Sequence, residues 1–292
     1  MLMARQAKWN LRRQMREMAI WLRPDTVAFN RDRPRNELQQ LLTQHEPHTA
    51  GYIANRLNDM ALWENQAGAY AILQGESVGW SRLRLASAYS HWSLRITHGQ
   101  FLQAQSEGRN VEFPLVHGDG TRCLALAFAF RDDAFAEWCG QLMLKNASDG
   151  FGFFDEWDRS PFYPFMARLY TIWKGDTTTP RQEPLWRLGI YQDLIRHWND
   201  DEAFAAALLR ACDFHCDRTA QLTDEDTEFW RMPFQVFPAE IIAIQRIREE
   251  RVGHTPAVSH PLLDTPISRP PASVPLPEDE LLASVRARFL GM

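Results

Sequence analysis

Apolar side chains recur at spacings of three and four along most of this chain, the period of an amphipathic helix. The stripe appears first at Leu11, Met15, Met18, Ala19 and Leu22, with basic side chains around it. From about His48 to Leu73 it runs through Ile53, Leu57, Met60, Ala61, Trp63, Ala67 and Tyr70, and Gly75 then supplies a helix stop. Gly79 to Gln105 repeats the pattern with Leu83, Leu85, Ala86, Tyr89, Trp92, Leu94 and Ile96. Two long segments joined by a short Gly-containing connection predict an antiparallel helix pair.

The stretch from Val111 to Phe130 admits two readings. Leu124, Leu126, Phe128 and Phe130 alternate with Cys123, Ala125, Ala127 and Ala129 after a His-Gly-Asp-Gly turn, which suits a hairpin. Alanines are poor strand formers, Leu124 and Phe128 are four apart, and Asp132 or Asp133 can cap a following helix through Leu144, so two short helices are favoured. Helical segments resume around Phe165–Lys174, Pro184–Trp198 and Glu202–Thr219. A helix from Pro238, carrying Ile241, Ile242, Ile244 and Ile247, ends at Gly253. Seven prolines then fall between Val252 and Pro277, which predicts an extended strap. Leu281, Leu282, Val285 and Phe289 give the last segment an amphipathic face that can dock. The expected fold is all-α, with about ten helices in antiparallel pairs, loosely solenoid-like. Its parts are a helical body over 1–251, alternatively two lobes divided near 149–160, a Pro-rich strap over 252–277, and a closing helix over 278–292 docked on the body.

With 45% hydrophobic and 24% charged residues in 292, the chain has a globular composition rather than a disordered or fibrous one. Arg5, Lys8, Arg12, Arg13 and Arg16 interrupt the start, so neither a membrane span nor a signal-peptide core is predicted, and the expected compartment is the cytoplasm. The four cysteines are expected as reduced thiols, since Cys212 and Cys216 sit one helical turn apart, where a bridge has poor geometry. The phosphate-cradling Gly-rich loop, the paired-His zinc helix, the Gly-x-Ser-x-Gly elbow and the dinucleotide glycine fingerprint are missing from the sequence. Cys212, His215 and Cys216 lack a spaced fourth ligand, and Pro47 breaks the register between His45 and His48. No catalytic residue, metal or cofactor is therefore expected.

Charge is segregated. Residues 1–35 hold nine Arg or Lys against three Asp or Glu, whereas Asp176 to Glu228 holds twelve acidic against five basic side chains. The acids read either as capping residues on solvated helix starts or as a surface that clamps a basic partner. Asp224, Glu225, Asp226 and Glu228 form the densest run. In a second candidate segment, from Asp149 to Pro164, aromatic rings alternate with carboxylates, and Asp155, Glu156, Trp157 and Asp158 combine anchors with charge. This segment reads equally as a buried connector between helical halves. A pI near 6.0 disfavours nucleic acid or a membrane as partner of the basic first helix, which is expected to dock against the acidic body.

Three stretches carry a resemblance: the helix from Arg56 to Ala71, the segment from Cys123 to Phe135, and Phe237-Pro-Ala-Glu-Ile-Ile-Ala-Ile followed by His260-Pro-Leu-Leu. They resemble bacterial immunity proteins of polymorphic-toxin systems, of the type VI or contact-dependent secretion kind, most nearly the immunity protein 49 family. The resemblance covers most of the chain and assigns no residue roles. It implies stoichiometric binding and inactivation of a cognate toxin domain. An acidic, aromatic face would suit a toxin with a basic active site, such as a nuclease or a nucleotide-modifying enzyme. Two other classes stay open: a helical hydrolase gathering Glu64, Asp155 and Asp226 around Mg2+, and a helical scaffold or regulator.

Overall fold

The computed structural model describes residues 9–44, 46, 49–109, 117–148, 160–175, 187–220 and 228–290. The fold is all-α, and among the described residues there is no strand. No described helix is long and apolar enough to cross a membrane. The chain divides into two compact units, one of residues 15–123 and 271–292, the other of residues 1–14 and 124–270. From the sequence, one helical body over 1–251 was expected, with two lobes divided near 149–160 as the alternative. Helices on both sides of that segment, α7 (Asp133–Ser148) and α8 (Phe162–Trp173), pack together within one unit. Gly140 makes their close approach workable, since a Cβ there would lie 2.2 Å from the Tyr170 ring.

The unit of residues 15–123 and 271–292 is organised around α4 (Thr49–Leu73) and α5 (Val78–Ser106). Gly75 adopts a left-handed φ of 86° between them. Its amide donates to the Ile72 carbonyl and that of Glu76 to Ala71, a pairing that satisfies the end of α4 and reverses the chain. The helices return antiparallel: Gly68 meets Gly79 near the turn, and Ser93 Oγ donates to the Ala54 carbonyl two turns or more away. Residues 24–42, read from sequence only for their charge, are helical. They form α2 (Pro24–Val27), a π-helical turn (Ala28–Asp32) and α3 (Arg33–Leu42) after α1 (Leu11–Trp21). Pro34 explains the wide turn, because it lacks an N–H and its ring crowds the carbonyl four residues back. Leu38 of α3 and Leu281, Leu282, Val285 and Phe289 of the closing helix α12 (Glu280–Phe289) share one core with the inner faces of α4 and α5. Asp279 caps α12 by accepting from the Leu282 amide.

Of the 111–130 stretch, residues 111–116 lie outside the described residues, and residues 117–129 form α6 (His117–Ala129) rather than a hairpin, with the His-Gly-Asp-Gly sequence in its first turn and Leu124 onward in the other unit. Arg131, not a glycine, takes the left-handed position after α6 with φ 54°, and Asp132 then caps α7 by accepting from the Phe135 amide. A 3-10 turn (Gly189–Tyr191) leads into α9 (Gln192–Arg196), α10 (Asp201–Ala220) and α11 (Ala239–Val252). Helix α11 is buried on nearly every side from Ala239 to Arg248 and packs against α8 and α10. The proline strap is extended with a 3-10 turn at Pro266–Ser268, and it inserts Leu262, Leu263 and Ile267 into this unit. His260 fixes its course: Nδ1 accepts from the Leu262 amide, which leaves Nε2 as donor to Asp213 of α10 at 3.2 Å.

Two substitutions test this account. A Cβ at Gly79 would lie 2.4 Å from the Gly68 carbonyl oxygen, so Gly79→Ala should force the α4 and α5 backbones apart and lower stability by about 1–3 kcal/mol in denaturant titration. Arg131→Gly relieves a left-handed side chain and should raise stability by about 0.5–1 kcal/mol.

Candidate functional site

Beneath residues 228–238, which lead into α11, lies a cluster of buried polar groups. Glu240, in the first turn of α11, places Oε1 2.7 Å from Nδ1 of His215 on α10, with both side chains fully enclosed. A carboxylate at this position also faces the positive end of the helix dipole. The Phe229 ring stacks on the His215 imidazole, with centroids 4.2 Å apart. Tyr191 stacks on Phe165 at 4.1 Å, and burial, with Glu240 and Glu228 nearby, pushes its phenol well above the usual tyrosine range. Arg218 donates Nε and Nη2 to Oε2 of Glu228, at 3.0 and 2.8 Å.

Cys212 and Cys216 share this neighbourhood but are not activated nucleophiles. Burial, reinforced by nearby carboxylates, raises both thiols, that of Cys216 to about 12. All four cysteines are free. Among the described residues no group of three or more His, Cys, Asp or Glu is placed to hold a metal ion. The described polar contact of His215 is the one from Nδ1 to Glu240.

The cluster anchors a short irregular turn over residues 229–237. The Phe234 amide donates to the Arg231 carbonyl, and those of Val236 and Phe237 both donate to Pro233. Gln235 Nε2 donates to the Trp230 carbonyl, and Trp9 Nε1 donates to that of Gln235. Phe229, Met232, Phe234, Val236 and Phe237 all point inward. Trp230 is the one exposed residue from Glu228 to Glu240, at 39% exposure, and the Arg231 guanidinium lies 4.7 Å from its ring centroid.

Of the residues expected to contact a partner, Asp155, Glu156, Trp157, Asp158, Asp224, Glu225 and Asp226 lie outside the described residues. Glu228, by contrast, is among the described residues and lies buried. It is 2% exposed, because Phe229 beside it enters the core and Arg218 supplies its counter-charge. Several other described acids of the 176–228 region are also engaged. Asp193 pairs with Arg210 at 2.8 Å, Asp200 caps α10 by accepting from the Ala203 amide, and Asp201 meets Arg248 and His254. The hydrogen bond from His254, then that from Arg248, holds the Asp201 carboxyl below its ordinary range. Glu202 and Asp217 are exposed. Among the described acids, Asp200 caps a helix and Asp193, Asp201 and Glu202 lie in first helical turns, as the capping reading expects. Glu64, considered for a metal-dependent site, accepts from Arg82 at 2.9 Å, while burial raises its pKa.

Sequence reasoning missed the pairing of His215 with Glu240 and the exposure of Trp230. The first joins residues 25 apart on two helices and leaves no local pattern. The second had a readable signal, a Trp-Arg pair closing an acidic run just before an otherwise apolar stretch. The chain matches no protein-family model, no curated protein and no solved structure.

Removing one member of the enclosed pair should be costly. His215→Leu leaves a buried carboxylate without its partner and should lower stability by about 2–5 kcal/mol, read from the urea midpoint. Adding Glu240→Leu should recover part of that loss, since both polar groups are then gone; a double variant as unstable as the sum of the singles would contradict the assignment.

Proposed function

We propose that this protein is an immunity protein, which binds a cognate bacterial toxin domain and neutralises it stoichiometrically rather than by turnover. The observation that supports the reading best is the turn at 229–237. One tryptophan faces solvent there from a segment otherwise packed into the core, and Trp with Arg is the composition of binding hot spots. A turn already fixed by hydrogen bonds loses little conformational freedom when a partner arrives. The resemblance of the chain to immunity proteins supplies the class. The acidic run that precedes the turn suits a toxin whose active site is basic, such as a nuclease or nucleotide-modifying enzyme, with occlusion of that site as the mode of inhibition. In this reading the protein works in the cytoplasm of the producing cell, on a protein partner and not on nucleic acid or membrane.

The test is survival. Cells expressing the variable C-terminal domain of a polymorphic toxin encoded beside this gene should die with an empty vector and grow when this chain is co-expressed. Death at the same rate in both would contradict the proposal.

A further inference from the structure

Within the unit of residues 1–14 and 124–270, Tyr191 Oη, His215 Nε2, Glu228 Oε1 and Glu240 Oε2 have no hydrogen-bond partner among the described residues. None of these residues is more than 2% exposed. A buried polar group left unbonded is costly, so protein cores seldom keep one, and four in one neighbourhood need a common explanation. They come from separate segments: the 3-10 turn at Gly189–Tyr191, helix α10, the entry to the 229–237 turn, and the first turn of α11. Glu240 meets His215 through its other oxygen, Oε1, at 2.7 Å, and Arg218 holds Glu228 through its other oxygen, Oε2. The His215 ring stacks on Phe229, the residue next to Glu228. Burial, then the Glu240 and Glu228 carboxylates, raise the Tyr191 phenol well above its usual range, so both acids act on a hydroxyl that no hydrogen bond joins to either. Polar groups that interact from beyond hydrogen-bond reach have the separation a bridging water spans.

The chemistry of the four atoms defines the bridging group. Glu228 Oε1 and Glu240 Oε2 are carboxylate oxygens and accept only, whereas the Tyr191 hydroxyl, holding its proton, can donate. Nδ1 of His215 faces a carboxylate and so carries the ring hydrogen, which leaves Nε2 to accept in the neutral ring or donate in the charged one. The complement must give two hydrogens, take at least one, and fit an enclosed core. Water does all three, and an internal water makes about three hydrogen bonds. A metal ion suits the set less well, since among the described residues no group of three or more His, Cys, Asp or Glu is placed to hold one.

We propose that Tyr191, His215, Glu228 and Glu240 form an internal water-binding site, in which water accepts from the Tyr191 hydroxyl and donates to the free oxygens of the two carboxylates. The site joins α10, α11 and the two turns through hydrogen bonds that no pair of their side chains makes directly. It is independent of the toxin-binding reading.

The test is a crystal structure of the full-length chain at a resolution that shows ordered water, paired with oxygen-17 relaxation dispersion, which counts the waters held in solution for longer than the protein tumbles. The expected result is density that refines as water within about 3.2 Å of Tyr191 Oη and of at least one of the two free carboxylate oxygens. Tyr191→Phe keeps the ring that stacks on Phe165 and removes only the hydroxyl, so the count of long-lived waters should fall in that variant. Direct protein partners on all four atoms, or no density between them, would overturn the site. So would an unchanged count in folded Tyr191→Phe, or a peak that gains anomalous signal when the crystal is soaked in rubidium or thallium(I), which marks a cation in place of water. The wild-type crystal decides the matter by itself if the variant does not fold.

Discussion

Helix α11 lies inside its unit and yet carries Glu240, Arg246 and Arg248, and the arrangement around it follows from the need to compensate those charges. An uncompensated ion in a protein interior is prohibitively unstable, so each group needs a partner in place before the core can close. Arg246 donates to the Phe128 carbonyl at the end of α6, to Asp133 at the start of α7, and to Glu250 one turn on. Arg248 donates to the carbonyls of Trp198 and His254 and to Asp201, with its guanidinium 4.6 Å from the Phe204 ring. Glu240 takes His215. Three side chains of one helix thereby fix α6, α7, α10 and the start of the strap relative to it.

The same constraint gives the turn before α11 its character. With Glu240 and Glu228 both turned inward, the chain between them has its ends set, and its apolar residues fill the space above His215. What is left outside is Trp230. In the functional reading, the electrostatics of the core and the presentation of the contact residue are one device: the charges that must be satisfied internally hold rigid the segment that must not move when a partner binds.

Much of the fold was legible in the sequence because its signals are local. The three-four stripes placed α4, α5, α10 and α12 to within a few residues, Gly75 and Gly253 marked helix ends by their left-handed backbone, and Asp132 was readable as a cap. Residues 24–42 were not read because Pro24 and Pro34 look like breakers, whereas here one opens a helix and the other is absorbed by a π-helical turn. Nothing in the aromatic segment of 149–160 reports that α7 and α8 pack across Gly140, so the sequence left both one body over 1–251 and two lobes divided near that segment open. Glu228 was grouped with Asp224, Glu225 and Asp226 on adjacency alone; a partner ten residues back, Arg218, takes it inward. Charge density in a sequence counts acids without saying which of them already have a counter-ion.

The central claim is that this chain acts by occupying a partner and not by chemistry of its own. Titrating a fixed amount of active toxin domain with purified protein and reading the residual toxin activity tests it most directly. The account predicts a linear fall to an endpoint at a simple molar ratio, with full activity recovered when the complex is denatured and the toxin refolded alone. Loss of toxin activity at ratios far below one, growing with time, would contradict it.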